Sequence, residues 1–293
     1  MSINQATVKY ADLPTALDVV SAAGVQSIGL WREPVAEVGL QQAAALVADS
    51  GLRVSSLCRG GFFTAVEGPE RRASIDENRR AIHETATLAA AGADGSAAVL
   101  VLVAGGLPAG STDLRGARER MRDAIAELEP EARASGVTLA LEPLHPMYAA
   151  DRAVLSTLGQ ALDIADQFPV ESVGVVVDTF HIWWDPQVLE QIARAGASGR
   201  IASYQVCDWV TPLPQDVLLA RGMMGDGHID FAALTRAVND AGYRGDVEVE
   251  IFNQAIWDAD PASVVARTVR AFADHVPLGD VPLGDVPLGD VAL

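Results

Sequence analysis

Glu142 closes the apolar run in VTLALEPLHPM (137–147), and His145 follows it across a proline. A strand built only for a core does not end on a carboxylate with an imidazole three residues beyond. Asp178 stands in the same relation to VGVVV, with His181 three residues further on. The run IASYQVCDW carries Gln205 and then Asp208, and VEVEIF carries Glu248 and Glu250. A single acid at such a position is usually a helix cap or a solvated loop residue. Four successive runs that each bring an oxygen to one end are different. Carboxylates crowded together in a buried place repel and resist ionisation unless a cation neutralises them. A divalent metal does this, and oxygen ligands suit Mn²⁺ or Mg²⁺ (or Co²⁺) better than zinc. Glu250 is the better candidate of its pair, because it shares a face with Glu248 and lies nearer the C-terminal end of the strand.

The same stretches supply other chemistry. A neutral imidazole is matched to proton transfer near neutral pH, which makes His145 a candidate general base. His181 is a candidate to bind substrate or orient a ligand. Arg221, in a glycine-rich loop, can hold a sugar oxygen. Trp31 and Trp209, with Phe62, Phe63, Trp183 and Trp184, fall in loops after apolar runs and are candidates to line a pocket. The one lysine, Lys9, lies at the chain start against twenty arginines. It is a poor Schiff-base residue, which argues against imine-forming aldolases and pyridoxal chemistry.

These residues need a scaffold that brings successive strand ends together. Eight apolar runs alternate with helical patterns: Ile3–Val8, Val25–Leu30, Arg53–Cys58, Ala97–Val103, Val137–Leu141, Val173–Val177, Ile201–Val206 and Val247–Ile251. The runs are continuously apolar rather than alternating, as in parallel strands covered on both faces. The stretches between them carry apolar residues at three- and four-residue spacing, such as Leu158, Ala161, Leu162 and Ala165. Eight strand–helix units in one chain predict a single (β/α)8 TIM barrel over residues 1–275. No glycine-rich phosphate loop supports a doubly wound rival. The remainder, 276–293, is a VPLGD repeat whose regular prolines argue against helix or strand.

The chain has 293 residues and a formal net charge of −18. That field repels phosphate backbones, so nucleic acid is not an expected partner. Two cysteines give no disulfide framework. No basic-then-apolar leader and no apolar run of membrane length is present, so a cytoplasmic enzyme with no membrane association is expected.

Together ALEPLHP, VVVDTFHIWWDP, YQVCDW, RGMMGDGHIDF and EVEIF resemble the xylose-isomerase-like sugar phosphate isomerase/epimerase superfamily of TIM barrels. The resemblance implies metal ligands at Glu142, Asp178, Gln205 and Glu250, with glutamine where the family usually has histidine. It implies substrate contacts at Arg221 and Asp208. Within the superfamily, EPLHP resembles the large subunit of bacterial C-glycoside deglycosidases. That closer resemblance implies a metal-dependent lyase in which His145 removes a proton from a 3-oxo-glycoside and the aglycone is expelled, with a small partner subunit. The alternative is a sugar isomerase or epimerase in which Glu142 and Glu250 carry the acid–base work. A non-catalytic sugar-binding or partner subunit is a third reading. The DNA-repair endonucleases of the superfamily are disfavoured by the charge and by only five histidines.

Overall fold

The structure, a computed structural model, describes residues 1–277. The predicted tail, beyond Val276 and Pro277, lies outside the described residues. Among the described residues there are ten strands: β1 (Ser2–Asn4), β2 (Ser27–Trp31), β3 (Arg53–Gly61), β4 (Val99–Val103), β5 (Thr138–Glu142), β6 (Val173–Asp178), β7 (Ile201–Val206), β8 (Asp208–Trp209), β9 (Arg221–Gly222) and β10 (Val247–Val249). Eight of them close into a barrel in the order β1-β10-β7-β6-β5-β4-β3-β2. All eight pairings are parallel. β8 and β9 form a separate antiparallel pair at the mouth. The fold is the predicted (β/α)8 barrel.

The helices form because their apolar residues fall on one face and their ends are capped. In Leu158–Ala165 the residues Leu158, Ala161, Leu162 and Ala165 are all buried, and Thr157 accepts from the Gln160 N–H at the N-cap. Asp12, Asp113, Asp230 and Asp260 cap four more helices in the same way. The outward faces of the strands pack on these helices in the main core. Inside the barrel a smaller apolar cluster of Cys58, Val99, Val101, Ala140 and Val176 fills one side.

Most predicted strand ends shift by one or two residues, and the last strand stops at Val249, so Glu250 lies just past it; the two largest shifts have visible causes. The first strand stops at Asn4, whose side chain accepts from Ala6 N and starts a 3₁₀ turn over Gln5–Val8. The third runs on through Gly61, beyond the predicted end at Cys58, because Gly60 and Gly61 still pair with Leu102 and Val103 of β4. Among the described residues no helix is long and apolar enough to cross a membrane.

Register sets the heights of the polar residues. Asp178 pairs with Gln205, and Gln205 with Glu248; because the strands of a barrel are tilted, these paired positions are stepped in height rather than level. Glu250 lies two residues beyond Glu248 and therefore one level nearer the C-terminal mouth.

Candidate active site

The C-terminal mouth opens into a cavity of about 820 Å³. Glu142, His181, Arg221 and Glu250 line its floor, and Trp31 is part of its wall. Glu142 is the last residue of β5. Asp178 ends β6 and caps the helical turn Thr179–Ile182: its Oδ1 accepts from Phe180 N at 2.8 Å, which leaves Oδ2 free to face inward. That turn carries His181 back toward the floor. The site is deeply buried; Glu142, Asp178, His181, Arg221 and Glu250 each expose 6% or less of their surface.

The Arg221 guanidinium is the hub. Its Nη1 donates to Glu250 Oε2 at 2.8 Å and to Asp178 Oδ2 at 3.2 Å, and its Nη2 lies 3.0 Å from His181 Nε2. The guanidinium also lies over the rings of Phe180 and Phe252. Burial pushes the Glu142 carboxyl well up, and the charges of Asp178 and Glu250 push it further. Burial likewise raises Glu250 to about 7, with Arg221 opposing and Asp178 and Glu248 adding to the rise. Asp178 is also raised by burial, against the pull of Arg221. Burial, with Arg221 beside it, holds His181 well below the usual imidazole range, so the ring is neutral near pH 7.

A neutral imidazole has one N–H, and both ring nitrogens of His181 meet donors. Nδ1 accepts the backbone N–H of His145 at 3.2 Å, while Nε2 meets Arg221. The ring can accept from only one of them. This bears on a metal. Glu142, Asp178 and His181 offer ligand atoms that all lie within 4.8 Å of one another. The two carboxylates fit a divalent cation. So does Oε1 of Gln205, a buried oxygen without a hydrogen-bond partner among the described residues. His181 would ligate through Nε2 only with its proton on Nδ1, which the His145 N–H opposes. Arg221 would also have to withdraw from Asp178. Because the carboxylates must be charged to bind a cation, Mn²⁺ or Zn²⁺ at millimolar concentration should raise the melting temperature clearly at pH 8 and little at pH 5.5. Equal melting curves with and without metal at both pH values would show that the set holds no cation.

Other expected site residues are placed differently. Gln205 turns its Nε2 down to Glu248 Oε1 at 3.0 Å, away from the mouth. Glu248 also accepts from Asn4, Ser55 and Ser56, and an added Cβ at Gly29 would lie 2.6 Å from its carboxylate. Four donors converge on this fully buried acid, which is thus an anchor beneath the site. Asp208, expected to touch substrate, instead accepts four backbone N–H groups with its two oxygens: Trp209 and Ile229 on Oδ1, Gly225 and Gly227 on Oδ2. Trp209 packs on Phe180 and His145. The His145 ring lies against Trp184 and Trp209, and its Nδ1 accepts from Met147 N at 3.3 Å. Lys9 lies in the cavity wall, 4.4 Å from the centre of the Trp257 ring.

Sequence reasoning missed Arg59, which lines the cavity just past Cys58. The signal available was an arginine set before a glycine pair and two phenylalanines in RGGFF.

Comparison with known proteins supports this reading of the fold. A protein from Sinorhizobium meliloti 1021 of solved structure, SMc04130, is 46% identical, with a TM-score of 0.88 over 94% of this chain and 98% of that one. The L-ribulose 3-epimerase of Mesorhizobium japonicum is 28% identical over 159 residues, 54% of this chain. The chain spans about half the length of that curated relative, 49%. The IolI protein, solved with a bound zinc atom, shares the fold at 21% identity and a TM-score of 0.79 over 94% of this chain and 97% of that one. The family model for the xylose isomerase-like TIM barrel matches residues 17–275, and the chain belongs to that family.

Proposed function

We propose that the protein epimerises or isomerises a ketose by moving a proton on a carbon next to the carbonyl. The observation that carries this is the pair Glu142 and Glu250 on the floor of one cavity, with Arg221 beside them. An acid–base pair must hold and release a proton near working pH, and burial raises both carboxyls toward that range. Arg221, held between Asp178 and Glu250, offers fixed positive charge where an enediolate oxygen would develop. Glu142 and Asp178, with Gln205 Oε1 or His181, would hold a divalent metal, which when bound polarises the sugar oxygen. Similarity to an L-ribulose 3-epimerase favours this reading over aglycone elimination from a 3-oxo-glycoside.

The test is solvent exchange. The full-length protein, with and without added Mn²⁺, is incubated in D₂O with ribulose, fructose and a 3-oxo-glucoside. Deuterium should enter the carbon beside the ketose carbonyl, with a second sugar accumulating. Aglycone release from the 3-oxo-glucoside without exchange into either ketose would replace this reading by the elimination.

A further inference from the structure

The cavity is larger than one free sugar ring needs. At about 820 Å³ it lies in the upper part of the range for drug-sized ligands. Its cations are unequally satisfied. Arg221 is paired with Asp178 and Glu250, and Arg152 lies within ion-pair reach of Asp151 and Asp216. Arg59 has no carboxylate within 4 Å and no side-chain hydrogen bond among the described residues, although Glu33, Glu37 and Asp12 share the cavity wall. In a chain with 39 acids and 21 basic residues, an arginine left unpaired inside a cavity is a specific feature.

Its guanidinium is nonetheless fixed. It lies 4.8 Å from the centre of the Phe62 ring and 5.7 Å from that of Trp31. Phe62 is unusual twice over. It is a non-glycine residue in the left-handed region at φ 62°, and it leaves 46% of its surface exposed. Its N–H donates to Val103 O at 2.8 Å and its carbonyl accepts from Ser74 Oγ at 3.0 Å, so the conformation is enforced. A strained backbone that holds an exposed aromatic against an unpaired cation is not explained by core packing. Trp31 continues into a strip with Phe252 and Trp257, ring centres 5.5 and 5.7 Å apart, and Lys9 lies over its far end. Arg59 and Glu142 line the same cavity.

We propose that Arg59 is an anion subsite and that the substrate is a keto sugar bearing a carboxylate or a phosphate away from its carbonyl. The guanidinium fork matches either group in a bidentate contact, and Trp31 and Phe62 keep it extended between ligands. The net charge of −18 otherwise repels such substrates, so a local cation is what admits them. The assignment rests on the ketose reading for the position of the sugar, and not for the anion contact itself.

The experiment compares fructose, fructuronate and fructose 6-phosphate on the full-length protein. Turnover is followed by solvent exchange, and binding by calorimetry. One acid-bearing sugar should exceed fructose at least tenfold in kcat/KM and in affinity, and the excess should shrink with added salt; whichever arm wins names the group. R59M should reduce that ratio to about one, and R59K should restore part of it. A wild-type ratio near one, or a ratio that survives R59M in protein with unchanged circular dichroism, overturns the subsite. So does collapse of the ratio in K9M but not in R59M. If no sugar is turned over, Arg59-dependent binding of the acid-bearing sugar keeps the subsite while the epimerase reading falls. Equal binding of fructose and both acids overturns the subsite.

Discussion

Arg221→Met should lower the melting temperature at pH 7.5 by on the order of 10 °C. Breaking a buried ion pair costs about 3–5 kcal/mol, and a chain of this size loses roughly 2–4 °C per kcal/mol. Arg221 and both partners are at most 5% exposed, so solvent does not screen the loss. The sign with pH follows from the directions of the shifts. Burial already raises Glu142, Asp178 and Glu250, and Arg221 opposes that rise. Acids with raised folded-state values stabilise the fold fully below their ordinary range, and that stability is lost as pH climbs through the folded value, about 7 for Glu250. Without Arg221 the carboxyls shift further up, so the deficit should be larger at pH 8 than at pH 5.5. Calorimetry across that range is the check. A loss of the same size at every pH would point to packing rather than charge.

Glu250→Gln should reduce turnover by about 10²–10⁴-fold, the usual contribution of a positioned proton-transfer group. The amide keeps the shape and the Arg221 contact but cannot take a proton. In the wild type the rate should rise as pH climbs through about 7, because the charged carboxylate is the form that removes the proton. The residual activity of E250Q should lack that rise. Glu142→Gln should show a loss of similar size. An E250Q enzyme with more than a tenth of wild-type kcat and the same pH profile would remove Glu250 from the reaction.

The barrel was legible because parallel strands buried on both faces spell continuous apolar runs, and the acids that interrupt them mark the mouth. Glu142, Asp178 and Glu250 were found that way; Asp178 and Glu250 both pair with Arg221, and Glu142 lines the same cavity. What the sequence hides is where each polar atom turns. Nothing in VEVEIF shows that Glu248 is fully buried under four donors or that it draws the Gln205 amide downward. Nor does YQVCDW reveal that both oxygens of Asp208 are consumed by backbone amides about twenty residues later. Such choices depend on contacts between strands far apart in the chain. Arg59 escaped because β3 keeps pairing through glycines, where apolar periodicity gives no sign of a strand.

The Asp208 contacts also separate two kinds of change. Asp208 and the β8–β9 pair fasten both ends of the segment between Val210 and Ala220, where Val210 N donates to Ala220 O. Arg221 is set by that fastening and by Asn253, which donates to its carbonyl. Asp216, Leu218 and Leu219, inside the segment, form part of the cavity wall. The placement of Arg221 is therefore separable from the length and composition of this segment: its anchors lie at the segment's two ends and in Asn253, not within it.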